Sequence, residues 1–318
     1  MISDVGVSAY TPKGDAGGLA ESYHPLSISG EAAPENIKAI KDIHAYLENS
    51  GVYNAVDQKL RYLTDNKAME VSFDRKLSPD VFGQTARNGS ISYGNWDVSL
   101  NPRIYEISYM DLEEGSDEQL IAQYLQSGVP IHEKVHKVTL ESPKVNKAMA
   151  ELEKMGYGEN NLRGFLEMLA EKYTIESFLD AGEKDVAWMG RRHTPYRRAL
   201  EAGDNIDSFF VYGEKEKYRG LEGFIDALAD GALSKDKETV DKYLGGLEVK
   251  LDAAKPYEPI GYSNMRNYLH DMVSEKEAGL KKEIREYGLY EPVKAKEPIK
   301  LGLGVIAPSI EAAKSGEF

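Results

Sequence analysis

Cysteine is absent from this chain, and histidine is scarce, with six residues among 318. The lack of thiols excludes disulfides, thiolate zinc fingers and cysteine nucleophiles. Any transition-metal site must therefore be built from histidine, aspartate and glutamate side chains. The redox compartment stays undetermined, because a chain without thiols tolerates both an oxidising and a reducing environment.

Long apolar runs are also missing, because no segment approaches the roughly 20 apolar residues that a membrane-spanning helix needs. The first residues, MISDVGVSAYTPKGDAGG, have neither a basic start nor a continuous apolar stretch. We therefore expect no signal peptide, a cytoplasmic location and no membrane partner.

Basic residues are outnumbered, with 39 lysines and arginines against 53 aspartates and glutamates, so that the formal net charge is −14. A general nucleic-acid binder needs a basic surface, and this class is therefore disfavoured. With 41% hydrophobic residues, the chain can bury a substantial core. The sequence leaves the oligomeric state open.

The N-terminal half carries strand and turn signals. Residues 1–33 lack periodicity and are interpreted as a loose arm, and Pro34 opens an amphipathic helix. The stretch MEVSFD (69–74) then alternates apolar and polar residues, which is typical of a strand. We predict a small antiparallel β meander over about residues 69–109. Its candidate turns are Asn88-Gly89 and Gly94-Asn95.

The C-terminal half is predicted to be mainly α-helical, starting at the capping-box pattern of Ser116 and Gln119. The fold class is therefore α+β, with the meander packed on the helices. Its predicted parts are a β-containing lobe (about 34–126), a helical lobe (about 127–290) and a C-terminal tail (291–318). Further helices are expected to open at Ser142-Pro143, to include 161–179, and to lie near 213–229, 235–253 and 264–287.

The pentad His132-Glu133-Lys134-Val135-His136 is the most informative motif. Residues four apart on a helix share one face, so His132 and His136 can bind one zinc ion together. Glu133 points about 100° around the helix, where it can reach a water on the metal as a general base. A hydrolytic zinc site still needs a third protein ligand.

A less specific interpretation of the pentad is a solvated turn of charged residues, with Val129, Ile131 and Val135 as its buried side. Ser127-Gly128 is interpreted as the end of one helix, and Pro130 as the start of the next or as a kink. The pentad would then occupy a first helical turn.

In the segment NLRGFLEMLAEKYT, Glu167 lies 31 positions after His136 on a separate predicted helix. Together these motifs resemble the zincin metallopeptidases of the gluzincin type, in which a second helix supplies a glutamate ligand. The resemblance covers about residues 90–180 and implies a zincin-like fold. It implies one Zn²⁺ per chain on His132, His136 and Glu167, with Glu133 as the base. It further implies that Glu171, one turn after Glu167, holds a zinc-bound histidine.

The resemblance also implies a substrate strand before the metal helix. In this clan an antiparallel strand lines the cleft and pairs with the extended substrate backbone. ISYGNWDVSL (91–100) is similar in placement, so we expect substrate contacts from Tyr93, Asn95 and Trp96.

A basic cluster follows in WMGRRHTPYRRAL (188–200). Members of this clan often use a downstream histidine or tyrosine to stabilise the oxyanion, a role that His193 or Tyr196 would fill here. The alternative is a basic patch that pairs with the chain's own acids. Likewise, Glu167 and Glu171 could form a surface stripe in which Arg163 and Glu167 make an ordinary helix ion pair.

The sequence thus predicts a zinc-dependent metallopeptidase acting on a peptide or protein substrate. The alternative is a non-catalytic helical interaction protein. In such a protein the metal site would be structural and closed by a fourth ligand such as His193. Otherwise the pentad would be a chance occurrence of the motif that binds no metal.

Overall fold

The computed structural model describes residues 24–29, 33–64, 69–74, 77, 82–87, 96–105, 109, 112–194 and 196–247. Within these residues, a four-stranded sheet packs against a larger set of helices, in an α+β arrangement. None of the helices described is both long enough and apolar enough to cross a membrane.

The sheet is mixed, with the spatial order β1-β2-β4-β3. Its strands are β1 (Leu26–Ser29), β2 (Met69–Phe73), β3 (Gly83–Arg87) and β4 (Trp96–Leu100). The first, second and fourth strands run parallel, and β3 pairs antiparallel with β4. The predicted antiparallel meander over 69–109 is correct for β3 and β4 but wrong for β2, which pairs in parallel with β4 and does not contact β3 in the sheet. The predicted loose arm is wrong for β1.

The helices surround this sheet and continue beyond it. They are α1 (Pro34–Asn49), α2 (Val52–Leu60), α3 (Asp117–Glu141), α4 (Pro143–Lys154), α5 (Glu159–Asp180), α6 (Lys184–His193), α7 (Arg197–Phe209), α8 (Gly220–Ala229) and α9 (Lys237–Leu244). Part of the predicted helix 213–229 is instead a short hairpin of β5 (Val211–Tyr212) and β6 (Tyr218–Arg219). Both candidate meander turns and the helix expected at 264–287 lie outside the described residues.

Helix α3 is continuous across the predicted break at Ser127-Gly128 and across the predicted lobe boundary, so the predicted break is wrong. Its N-terminus is capped as predicted. The Ser116 hydroxyl accepts the Gln119 N–H at 3.1 Å, and the Gln119 side chain accepts the Gly115 N–H at 2.7 Å.

A segment outside α3 contacts the helix next to Pro130. Pro130 has no N–H to donate to the carbonyl of Gln126, one turn earlier. The hydroxyl of Tyr105 donates to that carbonyl at 3.4 Å, and the Gln126 amide donates to the Ile104 carbonyl at 2.6 Å. A 3₁₀ turn, Pro102–Tyr105, thus contacts the helix where the proline leaves a backbone acceptor without its usual donor.

The pair α3 and α5 lies at the centre of the described fold. Helix α3 contacts β3 and β4, and it also packs against α5 and α6. Fully buried side chains between these elements are Ile131, Val135, Phe165, Met168, Leu169 and Phe178. This packing directs the pentad of α3 toward the glutamates of α5.

Candidate metal centre

The structure brings the three predicted ligands together. The Nε2 atoms of His132 and His136 each lie 3.2 Å from Oε2 of Glu167. The two imidazole centroids are 4.6 Å apart, and one ligand atom from each residue lies within 4.8 Å of the others. Two adjacent helices thus direct two nitrogens and one carboxylate oxygen toward one point.

The two separations between a histidine nitrogen and the Glu167 oxygen are compatible with a metal ion such as zinc. A tetrahedral zinc with bonds of about 2.0–2.1 Å holds its donor atoms about 3.3 Å apart, close to the separation between each histidine and Glu167. Three protein ligands are typical of catalytic zinc sites, whereas structural sites have four. Within the described residues the group contains His132, His136 and Glu167, and His193 is not a member.

The charged residues around the two histidines are buried, whereas the side chains of His132 and His136 are 13% and 12% exposed. Glu133 is 6% exposed, Lys134 3%, Glu167 6% and Glu171 4%. Both less specific interpretations, a solvated turn and a surface stripe of glutamates, are therefore wrong. The ion pair between Arg163 and Glu167 is nevertheless present, with Nε 3.6 Å from Oε1.

The charges of the site are strongly coupled. Burial raises the pKa of Glu167, but hydrogen bonds from His132 and His136 outweigh it and hold that pKa well below its usual value. Burial lowers the pKa of His132, but the hydrogen bond to Glu167 and the charges of Glu171 and Glu133 raise it to about 9. At neutral pH these shifts favour Glu167 as a carboxylate and His132 as an imidazolium, so a metal ion must displace the proton of His132 to bind its nitrogen.

Glu171 lies beside His132, with Oε1 3.7 Å from Nδ1, which is an ion-pair rather than a hydrogen-bond distance. The hydroxyl of Tyr124 donates to its other oxygen at 3.2 Å, and Thr194 donates a further hydrogen bond. Burial raises the pKa of Glu171. Gly190 of α6 lets that helix approach the Tyr124 ring, because a Cβ there would stand 2.2 Å from a ring carbon.

The strand beside Glu133 is β3, whereas the described part of the predicted substrate strand 91–100 is β4. The Thr85 hydroxyl lies 2.7 Å from Oε2 of Glu133, and a Cβ on Gly83 would be 2.9 Å from Oε1. Trp96 belongs to β4, which pairs with β2 on one side and with β3 on the other, so among the described strands β3 lies at the edge of this sheet. Tyr93 and Asn95 lie outside the described residues.

Of the two predicted oxyanion-stabilising residues, Tyr196 lies at the site. Its ring is stacked on that of His132, with centroids 5.9 Å apart and an interplanar angle of 17°. Burial raises the pKa of Tyr196, as does the charge of Glu167. His193 is the last residue of α6.

The arginines of the basic cluster pair with the chain's own acids, as the alternative interpretation held. Arg192 lies 3.7 Å from Asp117, and Arg197 lies 3.0 Å from Glu201 on its own helix. A further ion pair joins Arg191 to Asp204. These three arginines thus contribute to the fold.

A buried polar network on Lys134 was not predicted. Lys134 binds Asp57 at 2.9 Å, and the other oxygen of Asp57 lies 2.7 Å from Nε2 of His24. Nδ1 of His24 lies 2.9 Å from Glu48, and its ring stacks on Tyr53. Since Asp57 and Lys134 are 77 positions apart, no local spacing signals their contact.

Comparison with known proteins identifies no family. No family model, no curated protein and no solved structure matches the chain. The resemblance to gluzincins therefore rests on the residues themselves, namely the pentad of α3 and the glutamate that α5 brings to it.

Proposed function

We propose that this protein is a zinc-dependent metallopeptidase. The proposal depends on one observation, the convergence of His132, His136 and Glu167 at a spacing that suits zinc. Glu133 adds to it, because a carboxylate next to the first histidine occupies the place of a general base. Three protein ligands favour this function over a closed structural site.

The residues of this chain would divide the reaction between them. Bound zinc would supply Lewis-acid polarisation of the scissile carbonyl and of the attacking water. Glu133 would take a proton from that water and pass it to the leaving amine. Tyr196 keeps its phenolic proton, since burial and Glu167 raise its pKa, and would donate a hydrogen bond to the developing oxyanion.

We propose that the substrate backbone binds along the edge of β3 that faces away from β4. The Asn101 N–H donates to the Phe82 carbonyl at 2.8 Å, so these two opposite residues form a hydrogen-bonded pair. Along an antiparallel pair of strands, hydrogen-bonded and non-hydrogen-bonded pairs alternate from one residue to the next. Gly83 and Thr85 then direct their backbone groups away from β4. An extended peptide would add to this edge as a further strand, next to Glu133.

Metal content is the first test. Wild type, His132→Ala and Glu159→Gln, an exposed control on α5, are purified without added metal and analysed by mass spectrometry. About one zinc per chain is expected in the wild type and control, and none in His132→Ala. An absence of zinc in all three, with none taken up on titration, would reject the proposal.

Peptide cleavage is the second test, with a peptide library and zinc-loaded protein. Glu133→Gln should retain zinc and lose turnover, because the amide cannot accept the proton. Cleavage by Glu133→Gln at the wild-type rate would show that the activity comes from elsewhere.

A further inference from the structure

The edge strand contacts the proposed general base directly. Thr85 on β3 places its hydroxyl 2.7 Å from Oε2 of Glu133 and 3.0 Å from the backbone carbonyl of the same residue. The hydroxyl has one hydrogen, so it donates to one of these acceptors at a time. The carbonyl lies inside the continuous helix α3, where the N–H of Lys137 is its regular donor. The shorter contact, to the charged carboxylate, is therefore the favoured one.

Gly83 restricts the same carboxylate from the next position on that face of the strand. A Cβ at Gly83 would lie 2.8 Å from Cγ of Glu133 and 2.9 Å from Oε1. The strand backbone thus packs against one carboxylate oxygen while Thr85 binds the other. Between them, β3 fixes both the position and the rotation of the Glu133 side chain.

We infer that Thr85 is a positioning residue for Glu133, an inference that rests on the proposed peptidase function. Thr85 would keep the carboxylate aimed at the attacking water in every cycle. The same strand offers its outer edge to the substrate, so peptide docking and the alignment of the base depend on one element. Loss of the hydroxyl should therefore slow the chemical step with little effect on binding.

The test compares Thr85→Val, Thr85→Ser and a control, Thr174→Val, in zinc-loaded protein. Valine keeps the shape and loses the donor, whereas serine keeps the donor. Thr174 is a buried threonine whose hydroxyl has no hydrogen-bond partner among the described residues. Thr85→Val should lower kcat roughly tenfold to a hundredfold with KM within about twofold, while Thr85→Ser and Thr174→Val stay near wild type.

A double-mutant cycle separates positioning from general damage. Glu133→Asp moves the carboxylate back by one methylene, so Thr85→Val should change kcat little in that background. Zinc content should stay at one per chain in all Thr85 variants.

Several results would overturn the inference. One is an unchanged kcat in Thr85→Val, and another is an equal loss in Thr85→Val and Thr85→Ser. The same loss in the Glu133→Asp background would also reject it. If zinc-loaded wild type cleaves no peptide, both the peptidase proposal and the role of Thr85 are overturned. If wild type cleaves peptides and Thr85→Val has the same kcat, only the role of Thr85 is overturned.

Discussion

Among single residues, Glu167 makes the most contacts at the site. Its Oε2 accepts from two histidines, and its Oε1 faces Arg163 at 3.6 Å. The carboxylate is therefore held so that one oxygen faces the proposed metal position and the other faces a guanidinium. This arrangement suits a ligand that gives a single oxygen to zinc.

Glu167→Gln should weaken zinc binding more than Glu171→Gln does, because the first removes an anionic ligand and the second only a neighbour of His132. Loss of a group that supports a ligand costs roughly 10–100-fold in metal affinity, and loss of a ligand should exceed that. Competition titration against a coloured chelator would measure both. Equal affinities for the two variants would contradict the assignment of ligands.

His44 is an acid-sensitive group outside the proposed metal site. Burial lowers its pKa from 6.5 to about 4, aided by the charges of His24 and Lys134, and its Nδ1 lies 2.9 Å from the Tyr53 hydroxyl. The unfolded chain therefore binds a proton between pH 6.5 and about 4 that the folded chain does not. Folding stability contributed by neutral His44 is present above pH 6.5 and falls as the pH drops toward 4.

His44→Gln should flatten this part of the stability profile. Urea unfolding at a series of pH values would give the free energy of unfolding for wild type and variant. Lys41→Gln, on the exposed side of the same helix, should keep the wild-type slope. A variant His44→Gln with an unaltered slope would assign the acid sensitivity to other groups.

At the scale of elements, the continuity of α3 depends on a neighbour outside the helix. Tyr105 donates to the Gln126 carbonyl, whose regular helical donor position is taken by Pro130, so Tyr105→Phe should destabilise the fold by about 1 kcal/mol. In a Pro130→Ala background the helix supplies its own N–H, and the same change should cost less. Chemical denaturation of wild type, the two single variants and the double variant would measure this coupling. Free-energy changes of the single variants that add up strictly in the double variant would contradict it.

The contact between α3 and α6 depends on Gly190. Gly190→Ala should destabilise the protein by about 1–3 kcal/mol, because the new methyl group meets the Tyr124 ring and forces the helices apart. Gly246→Ala is the matched control, since among the described residues no atom beyond its two chain neighbours lies within 4 Å of a Cβ at that position. Thermal unfolding compares them, and equal melting temperatures would show that the helices adjust freely.

For the whole molecule, bound zinc should stabilise the native state by mass action. A ligand at 100 times its Kd adds about 2.7 kcal/mol to the free energy of unfolding if the unfolded chain does not bind it. A chelator should therefore lower the wild-type Tm and leave that of His132→Ala unchanged. Calorimetry with and without chelator checks this, and an equal shift in both proteins would indicate a zinc-independent effect.

What the sequence predicted correctly was encoded locally. The pairing of His132 with His136, the cap at Ser116 and the amphipathic helix of Glu167 each follow from spacings within a few turns. Pro130 misled the prediction because the donor that accommodates it, Tyr105, lies elsewhere in the chain. The contact of β3 with Glu133 was not predicted for a similar reason, since the position of β3 in the sheet depends on how four strands pair.

The contacts that α3 makes differ in sequence separation, and these separations predict the order in which the contacts form during folding. His136 and Glu167 are 31 positions apart, whereas Thr85 lies 48 positions from Glu133 and Asp57 lies 77 positions from Lys134. The entropy lost on closing a loop grows with its length, so the turn of chain from α3 through α4 to α5 can close first. During refolding, zinc capture should then precede the docking of β3, and metal uptake should recover before catalytic competence.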